Sequence, residues 1–156
     1  MNKNTPPIPA EVCRYLADHH VLTLATQGPS GLWAAAVFYV SQGDALYFLS
    51  AGHTRHARNI AANPQVAGTI QEDYADWQAI QGIQLAGEVS LLTGAAREEA
   101  ITRYKQKYPF IARPAAGEMA TKLQKALAVV NWYRLQVTKL YFIDNRQGFG
   151  HRDEIW

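Results

Sequence analysis

Apolar and polar positions alternate with two different periods along this chain. Val12, Tyr15 and Leu16 recur at helical spacing within Ala10 to His19, after a polar, proline-rich stretch over residues 1 to 9. Val21-Leu22-Thr23-Leu24-Ala25-Thr26 then reads as a strand, Gly28-Pro29-Ser30-Gly31 as a turn, and Leu32 to Val40 as the second arm of a hairpin. Gly43-Asp44 makes another turn before the strand Ala45 to Leu49. A short helix is expected from Thr54 to Ala62, stopped at Asn63 because the residue before Pro64 is driven out of the helical region. Gln65 to Gln71 and the long segment Trp77 to Leu92 read as strands, residues 95 to 108 and Ala115 to Leu127 as helices, and Val129 to Ile143 as a final strand. Residues 144 to 156 read as a tail.

Six strands, hairpin-linked early and interrupted by one helix before the fifth, do not fit a parallel sheet built from strand–helix–strand units. They predict an α+β chain: a six-stranded antiparallel split β-barrel of Greek-key type with flanking helices. Gly82 and Gly87 inside the fifth strand mark a bulge, a barrel corner or the close approach of a ligand.

The 156 residues suit a single domain, and a composition 48% hydrophobic and 18% charged supports a packed core. Fifteen Lys and Arg against thirteen Asp and Glu leave a formal charge of +2, with no basic run of the kind that binds nucleic acid. No apolar segment approaches membrane-spanning length, and one cysteine, Cys13, excludes an intramolecular disulfide. A cytoplasmic protein without nucleic-acid or membrane partners is expected, with Cys13 as an inert buried thiol. His19-His20 reads as a solvated helix end, and Trp77, Trp132 and Tyr133 as core or interface aromatics.

The segment that carries chemistry is Ser50-Ala51-Gly52-His53-Thr54-Arg55-His56-Ala57-Arg58-Asn59, where a strand ends in small residues and a helix opens on cations. Thr54 is the expected N-cap, so the unpaired N–H groups of the first turn face the same way as Arg55 and His56. Hydrogen-bond donors and the helix dipole together favour a phosphate there. Solvation of an exposed helix start is the alternative. Asp144, Asn145 and His151 are candidate polar groups beside a ligand, the alternative being a surface tail. No Ser-His-Asp, paired-carboxylate or zinc-spaced set supports hydrolysis or a metal site.

The order of these motifs resembles the pyridoxamine 5'-phosphate oxidase-like FMN-binding split barrels. The resemblance runs through Leu22 to Thr26, Gly31 to Phe38, Leu46 to Ser50, Thr54 to Ile60 with Asn63-Pro64, and Gly82 with Gly87-Glu88-Val89. The ending Asp144 to Gly150 looks like that of the small YhbP-like bacterial subgroup. The resemblance implies a homodimer with FMN sites at the subunit interface, acting on a small-molecule substrate. Thr54 and Arg55 match the family's phosphate-binding hydroxyl and arginine, while His56 stands where lysine is usual. A histidine titrates near pH 6.5 in the absence of perturbation, so phosphate affinity becomes pH-dependent. Ala34, Ala35, Ala36 and Val37 would lie along the isoalloxazine, Leu49 and Ser50 beside the ribityl chain, and Gln81 and Gly82 in a strand facing the flavin. The tryptophan and arginine that serve the oxidase's own substrate have no match, which argues against that specific activity. Related split barrels suggest haem as the alternative cofactor, with His53, His56 and His151 as the histidines available to its iron. A structural dimer with a decayed flavin site is the third reading.

Overall fold

A computed structural model describes residues 7–112 and 118–156. The first six residues of the expected leader, and the expected helix start at Ala115, lie outside the described residues. The elements run α1 (Ala10–Asp18), β1 (Val21–Gly28), β2 (Gly31–Gln42), β3 (Ala45–Ser50), α2 (Arg55–Ala62), β4 (Gln65–Gln71) and β5 (Gln81–Leu91). They continue with α3 (Gly94–Lys107), α4 (Pro109–Ala112), α5 (Glu118–Val129), β6 (Asn131–Asp144) and β7 (Arg152–Glu154).

The strands pair in the order β3-β2-β1-β4-β5-β6, and β6 returns to β3, closing a six-stranded antiparallel barrel with β7 outside the ring. Three hairpin-linked strands with β4 laid beside β1 make the Greek key. Alternation sets what goes inside: Leu22, Leu24 and Thr26 of β1 are buried, and their neighbours Val21, Thr23 and Ala25 are exposed. Tyr39, Phe48, Ile70, Ile83, Leu135 and Phe142 fill the interior from the other strands, while a second cluster of Leu92, Ala100, Tyr104, Tyr108 and Trp132 packs α3 onto the outside. The β5–β6 register shifts at Ala86/Gly87, and a Cβ on Gly87 would meet the Gln136 carbonyl oxygen at 2.2 Å. That glycine is a barrel corner.

Four expectations are corrected. Trp77–Ala79 is a 3-10 turn rather than the start of β5, because the Asp76 carboxylate accepts from the Gln78 N–H at 3.0 Å and caps it. The chain turns helical again at Pro109, since proline is well suited to a first helical position. The expected tail contains β7, paired to β6 with Tyr141 opposite Glu154, and Ile155 and Trp156 pack against the core. Cys13 is exposed, one position off the buried stripe of Val12, Tyr15 and Leu16.

Candidate functional site

β3 delivers Ser50 with its side chain buried, and the loop to α2 ends at Thr54, whose backbone is extended as an N-cap requires. Thr54 Oγ1 donates to the Ala51 carbonyl at 2.9 Å and accepts from the Ala57 N–H at 3.3 Å. Its single proton is thereby used, and Ser50 Oγ at 3.1 Å and His56 Nε2 at 3.2 Å lie beside its one remaining lone pair. Ser50 Oγ and His56 Nε2 share a bond of 2.6 Å. Two hydroxyls and an imidazole therefore converge at the positive end of α2. Burial pushes the His56 imidazole below its ordinary range, so it is predominantly neutral at pH 7.

Arg55 goes elsewhere. Its guanidinium donates to the Ser30 carbonyl at 2.6 Å and the Leu32 carbonyl at 3.3 Å, lies 4.6 Å from the centre of the Trp33 ring, and keeps Nε buried without a partner. Adjacent helical positions diverge by about 100°, which is why Arg55 and His56 separate. Arg55 fastens the β1–β2 hairpin to α2, and reaching an anion at Thr54 requires it to release those carbonyls.

Strand alternation divides the other expected residues. Ala34 and Ala36 point outward, whereas Val37 lies in the core and Ala35 is half-buried on the inner side. Across the sheet Ala34 pairs with Ala25, Ala25 with Ala67, and Ala67 with Ala86, a flat outer row of methyl groups. Leu49 and Ser50 likewise part: Leu49 packs against the cluster under α3, and Ser50 faces Thr54 and His56. Neighbouring residues of one strand thus present their side chains to opposite faces, as the two-residue period dictates.

Gln81 and Gly82 are not near this cluster within one chain. Ser50 pairs with Asn131 and Gln81 with Asp144, at opposite ends of the 14-residue β6. Gly82 is also buried, with a built Cβ 3.3 Å from the Ile70 carbonyl oxygen. At this far end a cleft of about 360 Å³ is lined by Arg14, Tyr15, His19, Glu72, Tyr74 and Gln81 among others. Sequence reasoning missed it. His19 stacks on Tyr15 with ring centres 3.7 Å apart and bonds Glu72 at 2.7 Å, so it is not a solvated helix end. The four-residue spacing of Tyr15 and His19 was the available signal. Asp144 is buried and accepts two bonds from the Arg146 guanidinium at 2.8 and 2.7 Å, which holds its carboxyl below the usual carboxylate range. Trp132 and Tyr133 are core residues, but Trp77 is half-exposed.

Of the histidines considered for haem, His56 Nε2 is engaged by Ser50 and His151 Nε2 lies 3.1 Å from Asp153, while His53 is exposed. Among the described residues no group of three or more His, Cys, Asp and Glu is arranged to hold a metal ion, and no helix is long and apolar enough to cross a membrane.

The sequence profile of pyridoxamine 5'-phosphate oxidase matches residues 8–144. A UPF0306 protein of Yersinia pestis is 32% identical over 151 residues, covering 96% of this chain and 93% of that one. Among solved structures, the haem storage protein HutZ of Vibrio cholerae superposes with a TM-score of 0.66 at 21% identity, over 86% of this chain and 94% of that one. An FAD-binding protein of Mesorhizobium loti gives 0.61 at 17%, with the same coverages. At such identities the two structures establish the fold, while the profile and the Yersinia relative establish descent: the chain belongs to the pyridoxamine 5'-phosphate oxidase-like family, and within it to the UPF0306, YhbP-like group.

Proposed function

We propose that this protein is a homodimeric FMN-binding protein that acts as a flavin-dependent oxidoreductase on a small substrate. The observation that carries the reading is the convergence of Ser50 Oγ, Thr54 Oγ1 and His56 Nε2 within 3.2 Å of one another at the capped start of α2. With the free N–H groups of the first turn, they supply what a phosphate monoester needs: oriented donors, a favourable dipole and partial exclusion of water. Ser50 would donate to one phosphate oxygen and Thr54 to a second on turning its proton away from the Ala51 carbonyl, and His56 would gain a proton against the anion's charge. When bound, the flavin supplies hydride and electron transfer; the protein's own residues bind and orient it. The outer sheet face supports the dimer, because Val21, Leu32 and Phe38 are 43, 75 and 49% exposed around the row of alanines. In such a dimer Gln81 comes to the flavin from the second copy, which reconciles its distance from Ser50 within one chain.

The fold of HutZ keeps haem as a second reading. Titration of the purified protein with FMN and, separately, with haem, read by visible absorption, separates the two. A perturbed flavin spectrum saturating at micromolar FMN, with a dimeric mass by light scattering, is expected. A Soret shift with haem and no flavin spectrum would replace the first reading by the second.

A further inference from the structure

Asn131 opens β6 directly across from Ser50, so the two side chains share one face at the same end of the barrel. Two residues further along each strand, Phe48 and Tyr133 form the next pair on that face, and their buried rings stack with centres 5.1 Å apart. Ser50 and Asn131 are therefore a polar rim above an apolar floor. Asn131 Nδ2 donates to the Tyr133 hydroxyl at 3.2 Å, which fixes the half-buried carboxamide. The amide also lies against the loop that leads to Thr54, since a Cβ on Gly52 would stand 3.0 Å from Nδ2. Its other N–H and its Oδ1 have no partner among the described residues.

That unused half has a definite chemistry. A phosphate dianion offers only acceptors, which suit donors such as the Ser50 hydroxyl and are repelled by an amide oxygen. An alcohol hydroxyl both donates and accepts, and so answers the N–H and the Oδ1 of a carboxamide together. Leu49, expected beside a ribityl chain along with Ser50, packs instead into the cluster under α3 and brings no polar side chain to this face.

We infer that Asn131 binds a hydroxyl of the ribityl chain next to the phosphate held by Ser50, Thr54 and His56, and thereby selects a polyol phosphate over the phosphate of a plain alkyl chain. This rests on the FMN reading above. The test titrates FMN, and the flavin analogue whose ribityl phosphate is replaced by an unsubstituted pentyl phosphate, into wild type, Asn131→Ala and Asn131→Leu, read by flavin fluorescence. Wild-type protein is expected to bind FMN more tightly than the analogue. Each variant is expected to bind FMN about tenfold more weakly, the scale of one hydrogen bond, and to bind the analogue as the wild type does. A residue that only braces the Gly52 loop would weaken both ligands alike, and that result overturns the inference while the FMN reading stands. Unchanged FMN affinity in both variants does the same, as does equal affinity of the wild type for the two ligands, which needs no variant. Failure of the wild-type protein to bind FMN removes both.

Discussion

His56 Nε2 lies 2.6 Å from Ser50 Oγ, and this bond joins the end of β3 to the first turn of α2 through a neutral imidazole. The resemblance to the family implies a lysine at this position, whereas a neutral histidine has to acquire its positive charge. An anion placed against the ring raises its proton affinity, and binding therefore takes up a proton.

FMN affinity is accordingly expected to fall as pH rises from 6 to 8, and to fall less in His56→Lys. At pH 8 the lysine variant should bind about tenfold more tightly, the value of one gained charge-assisted contact of about 1.4 kcal/mol. Isothermal titration in two buffers of different ionisation enthalpy measures the proton uptake directly.

The lowered His56 also affects stability. Its folded-state value lies below the unfolded one, so below about pH 6.5 the unfolded chain binds more protons and acid costs stability. Asp144 acts in the same direction at lower pH: its carboxyl, lowered by Arg146, contributes stability above the ordinary carboxylate range that is lost as pH falls through it. Urea titrations from pH 7 to pH 3 should show a midpoint that declines in two stages, the first absent in His56→Gln and the second reduced in Asp144→Asn.

Lys107 runs the other way. Burial lowers it to about 8, although its ammonium donates to the Leu16 and His19 carbonyls at 3.2 and 2.6 Å and lies 4.3 Å from the centre of the Tyr39 ring. Between pH 8 and about 10.5 the unfolded chain holds the extra proton, so this group's contribution to stability rises with pH. Relative to Lys107→Met, the wild type should gain stability across that window, measured by thermal melts at matched ionic strength.

Gly28 is fixed by Asn59. A Cβ there would meet Asn59 Oδ1 at 2.2 Å, and Asn59 Nδ2 is donated to buried Thr26 Oγ1 at 3.1 Å. Gly28→Ala is expected to displace the amide, strand a buried polar pair and cost about 1–3 kcal/mol in chemical denaturation.

The strand order and the capped helix were legible because each rests on short-range chemistry: alternation in Leu22 to Thr26, the Gly28-Pro29-Ser30-Gly31 turn, and the Thr54 hydroxyl before an apolar-faced helix. The direction of Arg55 was not, since the carbonyls that capture it belong to Ser30 and Leu32 across the barrel end. Nor was the ordering of residues 144 to 154, which depends on Asp144 and Asn145 finding partners in Arg146, Trp77 and Ile80. The opposite side-chain directions of Leu49 and Ser50, and of Ala35 and Ala36, follow from a strand's alternation, which the sequence already contained.

Whether the Ser50-Thr54-His56 cluster holds a phosphate is measured most sharply by comparing FMN with riboflavin, which differ only in that group. Wild-type protein is expected to bind FMN about a hundredfold or more tighter than riboflavin, equivalent to about 2.8 kcal/mol, and Thr54→Val to narrow the gap mainly by weakening FMN. Equal affinities for the two flavins in the wild type would contradict phosphate binding there.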